Sequence, residues 1–242
     1  MNDERDIEED LKPSTRDYIH TGIKAGLSTA PFIGGPIAEF FSFVIAPPLE
    51  KRRTEWLIEI YKRLQLLEKT SEDFKPENLA KNEKFFSVFL QATQIAMRTH
   101  QKEKLEALRN AVINSVIIPT IDENLQMIFL NLVDRYTPWH LTILQFSDNP
   151  GRYAKDHQIQ YPIWALGGFS HMIEYTFKEL QGRPFFYKQI LKELVSDGLI
   201  KESEHFHAGK SGDGMFDART TNLGKQFLNF IQNPITNNGN TL

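Results

Sequence analysis

The stretch Phe185-Phe186-Tyr187-Lys188-Gln189-Ile190-Leu191-Lys192-Glu193-Leu194-Val195-Ser196-Asp197-Gly198-Leu199-Ile200 carries the strongest structural signal in the sequence. Its apolar residues at 187, 190, 191 and 194 recur at helical spacing, which predicts an amphipathic helix. Gly198 predicts the end of that helix, because glycine adopts the left-handed conformation of a C-terminal cap without steric strain. The next three residues, Leu199-Ile200-Lys201, predict a short strand.

The chain beyond this strand completes a recognisable order of elements. A glycine-rich loop covers Ala208–Gly214, Met215–Thr221 is expected to return as a second strand, and Leu223–Ile231 predicts a last helix. This order, over residues 138–231, resembles the recognition helix and wing of winged-helix domains in bacterial regulators. The resemblance implies DNA binding, often as a dimer, so a homo-oligomer is among the expected partners.

Four polar residues are the candidates for nucleic-acid contact: Lys188, Gln189, Lys192 and Lys210. The first three lie on the predicted outward face of the helix, and Lys210 lies at the tip of the loop. Lysine and glutamine side chains contact phosphates and base edges. Residues 178–225 contain eight Lys or Arg against seven Asp or Glu, so they lack the basic excess typical of nucleic-acid-binding domains. Winged helices also bind RNA or proteins, so the partner stays open between nucleic acid and protein.

The composition is that of a globular protein. Of 242 residues, 40% are apolar and 24% charged, which are ordinary values for a soluble domain. The chain has no cysteine, which excludes disulfides and thiolate metal sites and fits a cytoplasmic location. The first ten residues hold six acids and one arginine, so the rest of the chain has a net charge of +2.

Apolar residues at helical spacing predict further helices upstream. The first of these helices is expected to begin at Ser14, and the others to cover 37–69, 82–99, 101–117 and 122–136. The short connections between them favour an antiparallel bundle. Residues 75–78 predict a loop, and the helix over 82–99 is expected to carry Phe86 in its apolar stripe. Thr137-Pro138 predicts the start of a helix over 138–147, and Asp148-Asn149-Pro150-Gly151 predicts its end. The predicted fold class is therefore mainly α. Its parts are a disordered acidic tail at 1–13, a helical bundle at 14–136, a winged-helix domain with a small β-wing at 137–232, and a disordered tail at 233–242.

The apolar segment 25–46 offers an alternative function at a membrane. Residues 14–118 resemble the helical bundles of HeLo-type effector domains, and the resemblance rests on Gly22–Ile45. It implies a membrane-active segment, with Phe40, Phe41, Phe43 and Ile45 as its apolar contacts. In the longer apolar stretch 25–49, Glu39 and four prolines interrupt the run, and the uncharged windows 25–38 and 40–49 are shorter than the roughly 20 residues of a spanning helix. A buried hairpin is therefore favoured. Separately, the run Gln101–Asn110 resembles one in uncharacterised bacterial proteins.

The remaining motifs do not predict a catalytic or metal site. His205 and His207 could begin a zinc site, but no third ligand is identifiable. His171 and Glu174 lie one helical turn apart, as an ordinary surface pair does. Gly209-Lys210-Ser211 lacks the other residues of a phosphate-binding loop. We therefore expect a non-enzymatic bacterial protein without cofactor that binds a macromolecule through the winged helix, with a DNA-associated regulator as one form of this expectation. The alternatives are a membrane-active effector and a protein-only adapter.

Overall fold

The computed structural model describes residues 51–71, 74–118, 120–162, 168–201 and 216–234. Over these ranges the chain is mainly α-helical. The α-helices are α1 (Lys51–Thr70), α2 (Glu83–Arg98), α3 (Lys102–Ile117), α4 (Glu123–Arg135), α5 (Pro138–Asp148), α6 (Pro150–Asp156), α7 (Phe169–Thr176), α8 (Pro184–Ser196) and α9 (Asn222–Ile231). Two 3-10 helices cover Pro76–Lys81 and Lys178–Leu180.

The chain divides into two compact units. The first extends to Asp134 and includes the residues from Phe230 onward, and the second is Arg135–Asn229. Several predicted features lie outside the described residues: the acidic tail 1–13, the helix that begins at Ser14, the apolar segment 25–46, the wing loop 208–214 and most of the tail 233–242.

Helix α3 lies at the centre of the first unit, where it packs against α1 and α2. It buries polar as well as apolar side chains, among them Lys104. The Lys104 Nζ atom donates to the carbonyl of Asp134 at 2.7 Å, and burial lowers the pKa of this amine. The Arg63 guanidinium of α1 donates to both carboxylate oxygens of Glu106 at 2.8 Å. Lys104 and Glu106 of α3 are thus bound by partners within the unit.

Two asparagines of α3 hold the end of the described chain. Asn110 Nδ2 donates to the carbonyl of Ile231 at 2.9 Å. Asn114 Nδ2 donates to the carbonyls of Phe230 and Gln232 at 2.9 and 2.8 Å. The last carbonyls of a helix have no partner within the helix, so these amides supply the missing donors.

The predicted helices are confirmed wherever the structure describes them. Two of the segments that connect them differ from the prediction. Residues 75–78 were expected to form a loop, but Pro76 begins a 3-10 helix. Residues 148–151 end α5 as expected, yet Pro150 also starts α6, which the sequence analysis did not predict. Asn149 caps α6 by accepting from the N–H of Arg152 at 2.8 Å. Proline is well placed there because its missing N–H is not needed in the first turn.

In the second unit, α8 packs against α5 and leads into a pair of extended segments. The N–H of Lys201 donates to the carbonyl of Arg219 at 2.8 Å, and the N–H of Thr221 donates to that of Leu199 at 3.0 Å. Ile200 and Thr220 form an antiparallel bridge between them. The described parts of the predicted strands 199–201 and 215–221 are therefore extended chain joined by one isolated bridge, and no strand forms within the described residues.

Candidate functional site

Helix α8 has one buried and one exposed face. Tyr187, Ile190, Leu191 and Leu194 are buried, as the apolar spacing predicted. Phe185, Lys188, Gln189 and Lys192 are exposed. The last three follow Phe185 by three, four and seven positions, so they lie on the same face as Phe185, opposite the buried one. This second set is named the outer face of α8 below.

Both ends of α8 are fixed by local backbone chemistry. Gly182, two residues before Pro184, has a φ of 71°, and Gly198 after the helix has a φ of 72°. Both angles lie in the left-handed region that glycine adopts without strain. Gly198 therefore caps the helix as predicted, and the N–H of Leu199 closes the cap on the carbonyl of Leu194 at 2.9 Å.

Phe185 is the most exposed large apolar side chain of the described residues, at 91% of its full accessibility. Its neighbour Phe186 is half-buried, and the Arg183 guanidinium lies 4.5 Å from the centre of that ring. An aromatic side chain in water contributes nothing to the folded core, whereas it contributes strongly when a partner covers it. The outer face thus combines one aromatic ring with two ammonium groups and one carboxamide.

The two lysines of the outer face are available for a ligand. Neither Lys188 nor Lys192 forms a hydrogen bond or ion pair within the part of the chain that the structure describes. Glu193, on the flank of the helix, is already bound by other side chains. The outer face therefore presents positive charge that no described residue neutralises by an ion pair.

A buried histidine supports the flank of α8. The ring of His140, in the first turn of α5, is 5% exposed, and its Nε2 lies 2.9 Å from Glu193 Oε2. The other carboxylate oxygen of Glu193 accepts from Gln189 Nε2 at 2.7 Å. A chain of side-chain hydrogen bonds therefore runs from α5 to the outer face of α8.

The contacts of His140 fix its tautomer. The backbone N–H of Thr137 donates to Nδ1 at 3.2 Å, so Nδ1 carries no proton and Nε2 donates to Glu193. Burial lowers the pKa of His140, against the raising effect of Glu193. Hydrogen bonds from Gln189 and His140 lower the pKa of Glu193. The neutral imidazole and the carboxylate are therefore the stable forms.

A second hydrogen-bonded group follows the end of α8. Tyr136 donates its hydroxyl to Asp197 Oδ2 at 2.5 Å, and Arg135 pairs with the same oxygen. Burial, then the bond to Asp197, raises the pKa of Tyr136. The Tyr136 ring stacks on His140 with centroids 4.6 Å apart, so the two groups are packed together. Neither leaves a reactive group facing an open cleft.

The structure brings three of the four predicted nucleic-acid-binding residues onto one surface: Lys188, Gln189 and Lys192. Lys210 lies outside the described residues. So do the predicted membrane contacts Phe40, Phe41, Phe43 and Ile45, and the histidines His205 and His207.

His171 and Glu174 have separate structural roles. His171 Nδ1 accepts from the N–H of Gly168 at 3.2 Å and closes the first turn of α7. Glu174 accepts the hydroxyl of Tyr187 at 2.7 Å. Burial, then this bond, raises the pKa of Tyr187 to about 12.

Sequence reasoning missed Phe185, His140 and Glu193 as parts of this site. Phe185 could have been singled out, because it precedes the buried stripe by two positions and so falls on the opposite face. The pairing of His140 with Glu193 spans 53 positions, and no local pattern reports it.

Elsewhere the described residues show no competing site. An open groove between α2 and α4 is lined by Gln91, Arg98, Asn131 and Asp134 among others, but these pair as Gln91 with Asn131 and Arg98 with Asp134. No group of three His, Asp or Glu in the described ranges could hold a metal ion. No helix in those ranges combines the length and apolar character needed to cross a bilayer.

No family model, curated protein or solved structure matches the chain. The outer face of α8 and its supporting hydrogen bonds are therefore the whole basis of the functional argument.

Proposed function

We propose that the chain is a non-enzymatic protein that binds duplex DNA through the outer face of α8, within a winged helix formed by residues 137–232. The single observation that carries this proposal is the outer face itself. It consists of two lysines without partners among the described residues, a carboxamide and an aromatic ring that is 91% exposed, all on one side of a well-anchored helix.

The order of elements around α8 supports the winged-helix part of the proposal. Helices α5, α7 and α8 precede an antiparallel pair of extended segments at 199–201 and 219–221, which is where a wing would be based. In helix-turn-helix proteins the recognition helix lies in the major groove and its N-terminal residues contact base edges. Phe185, Lys188 and Gln189 lie in the first half of α8. In the same proposal, residues 14–136 form the helical bundle.

Each side chain of the outer face can make a known type of contact with DNA. Lys188 and Lys192 would neutralise phosphates and release counter-ions. Gln189 can hydrogen-bond a base edge, and Phe185 can pack on a thymine methyl group. Because few cations are available on this surface, we expect a modest salt dependence, set by a small number of phosphate contacts.

The test is a fluorescence-anisotropy titration of mixed-sequence duplex DNA at several salt concentrations. The double variant Lys188→Ala with Lys192→Ala should reduce the slope of log affinity against log salt by about 2, one per phosphate contact. The matched control, Lys155→Ala with Lys225→Ala, removes the same charge from exposed positions of α6 and α9 and should leave the slope unchanged. Equal slopes for wild type and the α8 variant, or no binding at low salt, would overturn the proposal.

A protein-only adapter is the second candidate, and Phe185 is the observation that favours it. Aromatic side chains are enriched among the residues that dominate protein–protein binding. If the chain captures a protein and no DNA, and Phe185→Ala abolishes that capture, the adapter function replaces DNA binding. The membrane-active alternative concerns residues outside the described part, and dye release from anionic liposomes, compared for wild type and Phe40→Asp, tests it.

A further inference from the structure

The Gln189 side chain is oriented by hydrogen bonds that begin at the N-terminus of α5. The N–H of Thr137 donates to His140 Nδ1, and His140 Nε2 donates to Glu193 at 2.9 Å. The remaining carboxylate oxygen of Glu193 then accepts from Gln189 Nε2 at 2.7 Å. Each link sets the donor or acceptor role of the next.

This series of hydrogen bonds determines which way the Gln189 amide faces. A carboxylate only accepts hydrogen bonds, so it must meet the NH2 group of the amide and not its oxygen. The hydrogen bonds from Gln189 and His140 favour the ionised form of Glu193. An ionised Glu193 in turn keeps the NH2 group of Gln189 facing it. One amide N–H is thereby used. The second N–H and the oxygen Oε1 have no side-chain partner among the described residues.

We infer that Gln189 is a specificity-determining residue that reads adenine in the major groove. The inference rests on the proposed DNA binding by α8. Adenine presents the donor N6–H2 beside the acceptor N7, which complement the free oxygen and the free N–H of this amide. Guanine presents two acceptors, O6 and N7, so one of them would face the amide oxygen.

Glu193 and His140 are positioning residues in this arrangement. An unsupported glutamine amide can turn over and exchange its donor and acceptor, and it loses side-chain freedom on binding. A side chain held in its binding geometry by a supporting shell loses less. The hydrogen bonds from α5 therefore give Gln189 one preferred hydrogen-bonding pattern before DNA arrives.

The test is selection of binding sequences from a randomised duplex library, followed by titration of matched duplexes that carry adenine or guanine at the selected position. Wild type should favour adenine there by about tenfold, as expected for one bidentate base contact. Gln189→Ala should abolish this preference and keep the salt dependence of binding, because phosphate contacts are untouched. Gln226→Ala, which removes an exposed amide from α9, is the matched control and should keep the wild-type preference.

Glu193→Gln separates the orienting role from the contact itself. A carboxamide at position 193 must give its oxygen to His140 Nε2 and so offers its NH2 group to Gln189. The Gln189 amide then turns over to accept from it, and the preference for adenine over guanine should shrink. Circular dichroism checks that this variant is folded.

The outcomes distinguish this inference from the proposed function. Salt-dependent DNA binding without an adenine preference, or with a preference that Gln189→Ala retains, overturns the inference and leaves DNA binding in place. A full preference in folded Glu193→Gln overturns the orienting role. Absence of DNA binding by wild type overturns both the inference and the proposed function.

Discussion

The polar side chains of helix α3 in the first unit and of helix α8 in the second differ in their burial and in their hydrogen bonding. On α3, Lys104, Asn110 and Asn114 are buried and bind backbone carbonyls. On α8, the lysines of the outer face stay in solvent and have no partner among the described residues. The polar residues of α3 therefore stabilise the fold, whereas those of α8 are available for a ligand.

This difference matters because polarity alone does not identify a binding surface. An amphipathic sequence reports which side chains can face water but not which are used internally. Glu193 and Gln189 show the intermediate case, since each forms internal hydrogen bonds and Gln189 keeps part of its amide free. The following predictions test the contrast, from the largest effect on stability to the smallest.

Asn114→Ala should destabilise the protein by about 3 kcal/mol, because two backbone carbonyls lose their donor within a mostly buried site. Urea unfolding measures the change. Asn124→Ala removes the same group from an exposed position of α4 and is the control. Equal stability of the two variants would show that the asparagines of α3 are not structural.

Gly224→Ala should destabilise by about 2 kcal/mol despite the better helix propensity of alanine. A β-carbon at position 224 would overlap the backbone carbonyl of Leu199, so α9 could not keep its close approach to the extended segment after α8. Gly151→Ala on α6 meets only ordinary contacts and should be neutral or slightly stabilising. Thermal unfolding compares the pair, and a neutral Gly224→Ala would contradict the close packing.

Stability should fall on acidification below pH 6.5, the ordinary pKa of histidine. Burial lowers the pKa of folded His140, so below pH 6.5 the unfolded chain binds a proton that the folded chain excludes. The charged groups that act on the His140 ring are Glu193, which contacts it, and the more distant Asp197 and Arg135. The dominant effect on its pKa is burial. This stability is complete above pH 6.5 and declines as the pH approaches the folded pKa.

His140→Gln checks the origin of this acid sensitivity. Glutamine can still donate to Glu193 but does not titrate, so the free energy of unfolding should vary less between pH 7 and pH 5 than it does in wild type. The exposed His100→Gln is the control and should behave as wild type. Retention of the full acid sensitivity in His140→Gln would assign it to another group.

Lys188→Ala combined with Lys192→Ala should change stability least, by less than about 0.5 kcal/mol, because both side chains are exposed and neither has a partner in the described ranges. Urea unfolding is again the measurement. A loss comparable to that of Asn114→Ala would mean that the outer face of α8 is structural, and the contrast between the helices would disappear.

The sequence predicted the parts of the fold that depend on local chemistry. The spacing of Tyr187, Ile190, Leu191 and Leu194 predicted the buried face of α8, and Gly198 predicted its cap. Pro150 was interpreted only as the end of a helix. A proline that ends one helix and also begins the next has the same local sequence pattern as a proline that only ends a helix. Phe86 was expected in the apolar stripe of α2 but is 38% exposed. The small residues Ala92 and Ala96 complete the buried face instead.

Of the candidate site, the sequence predicted only residues on the outer face of α8. The residues Lys188, Gln189 and Lys192 follow from helical periodicity, whereas the support from His140 depends on how α5 packs on α8. A local signal did exist, since Thr137-Pro138 marked the start of α5 and placed His140 in its first turn. Nothing local indicated that Glu193, 53 positions away, would meet that ring.

Photo-cross-linking from position 185 tests the central claim most directly. A benzophenone amino acid in place of Phe185 would lie on the outer face of α8, and the same group in place of Ile128, which is 51% exposed on α4, is the control. We predict a covalent adduct with duplex DNA from position 185 and none from position 128. No adduct from position 185, or equal adducts from both positions, would contradict DNA binding by α8.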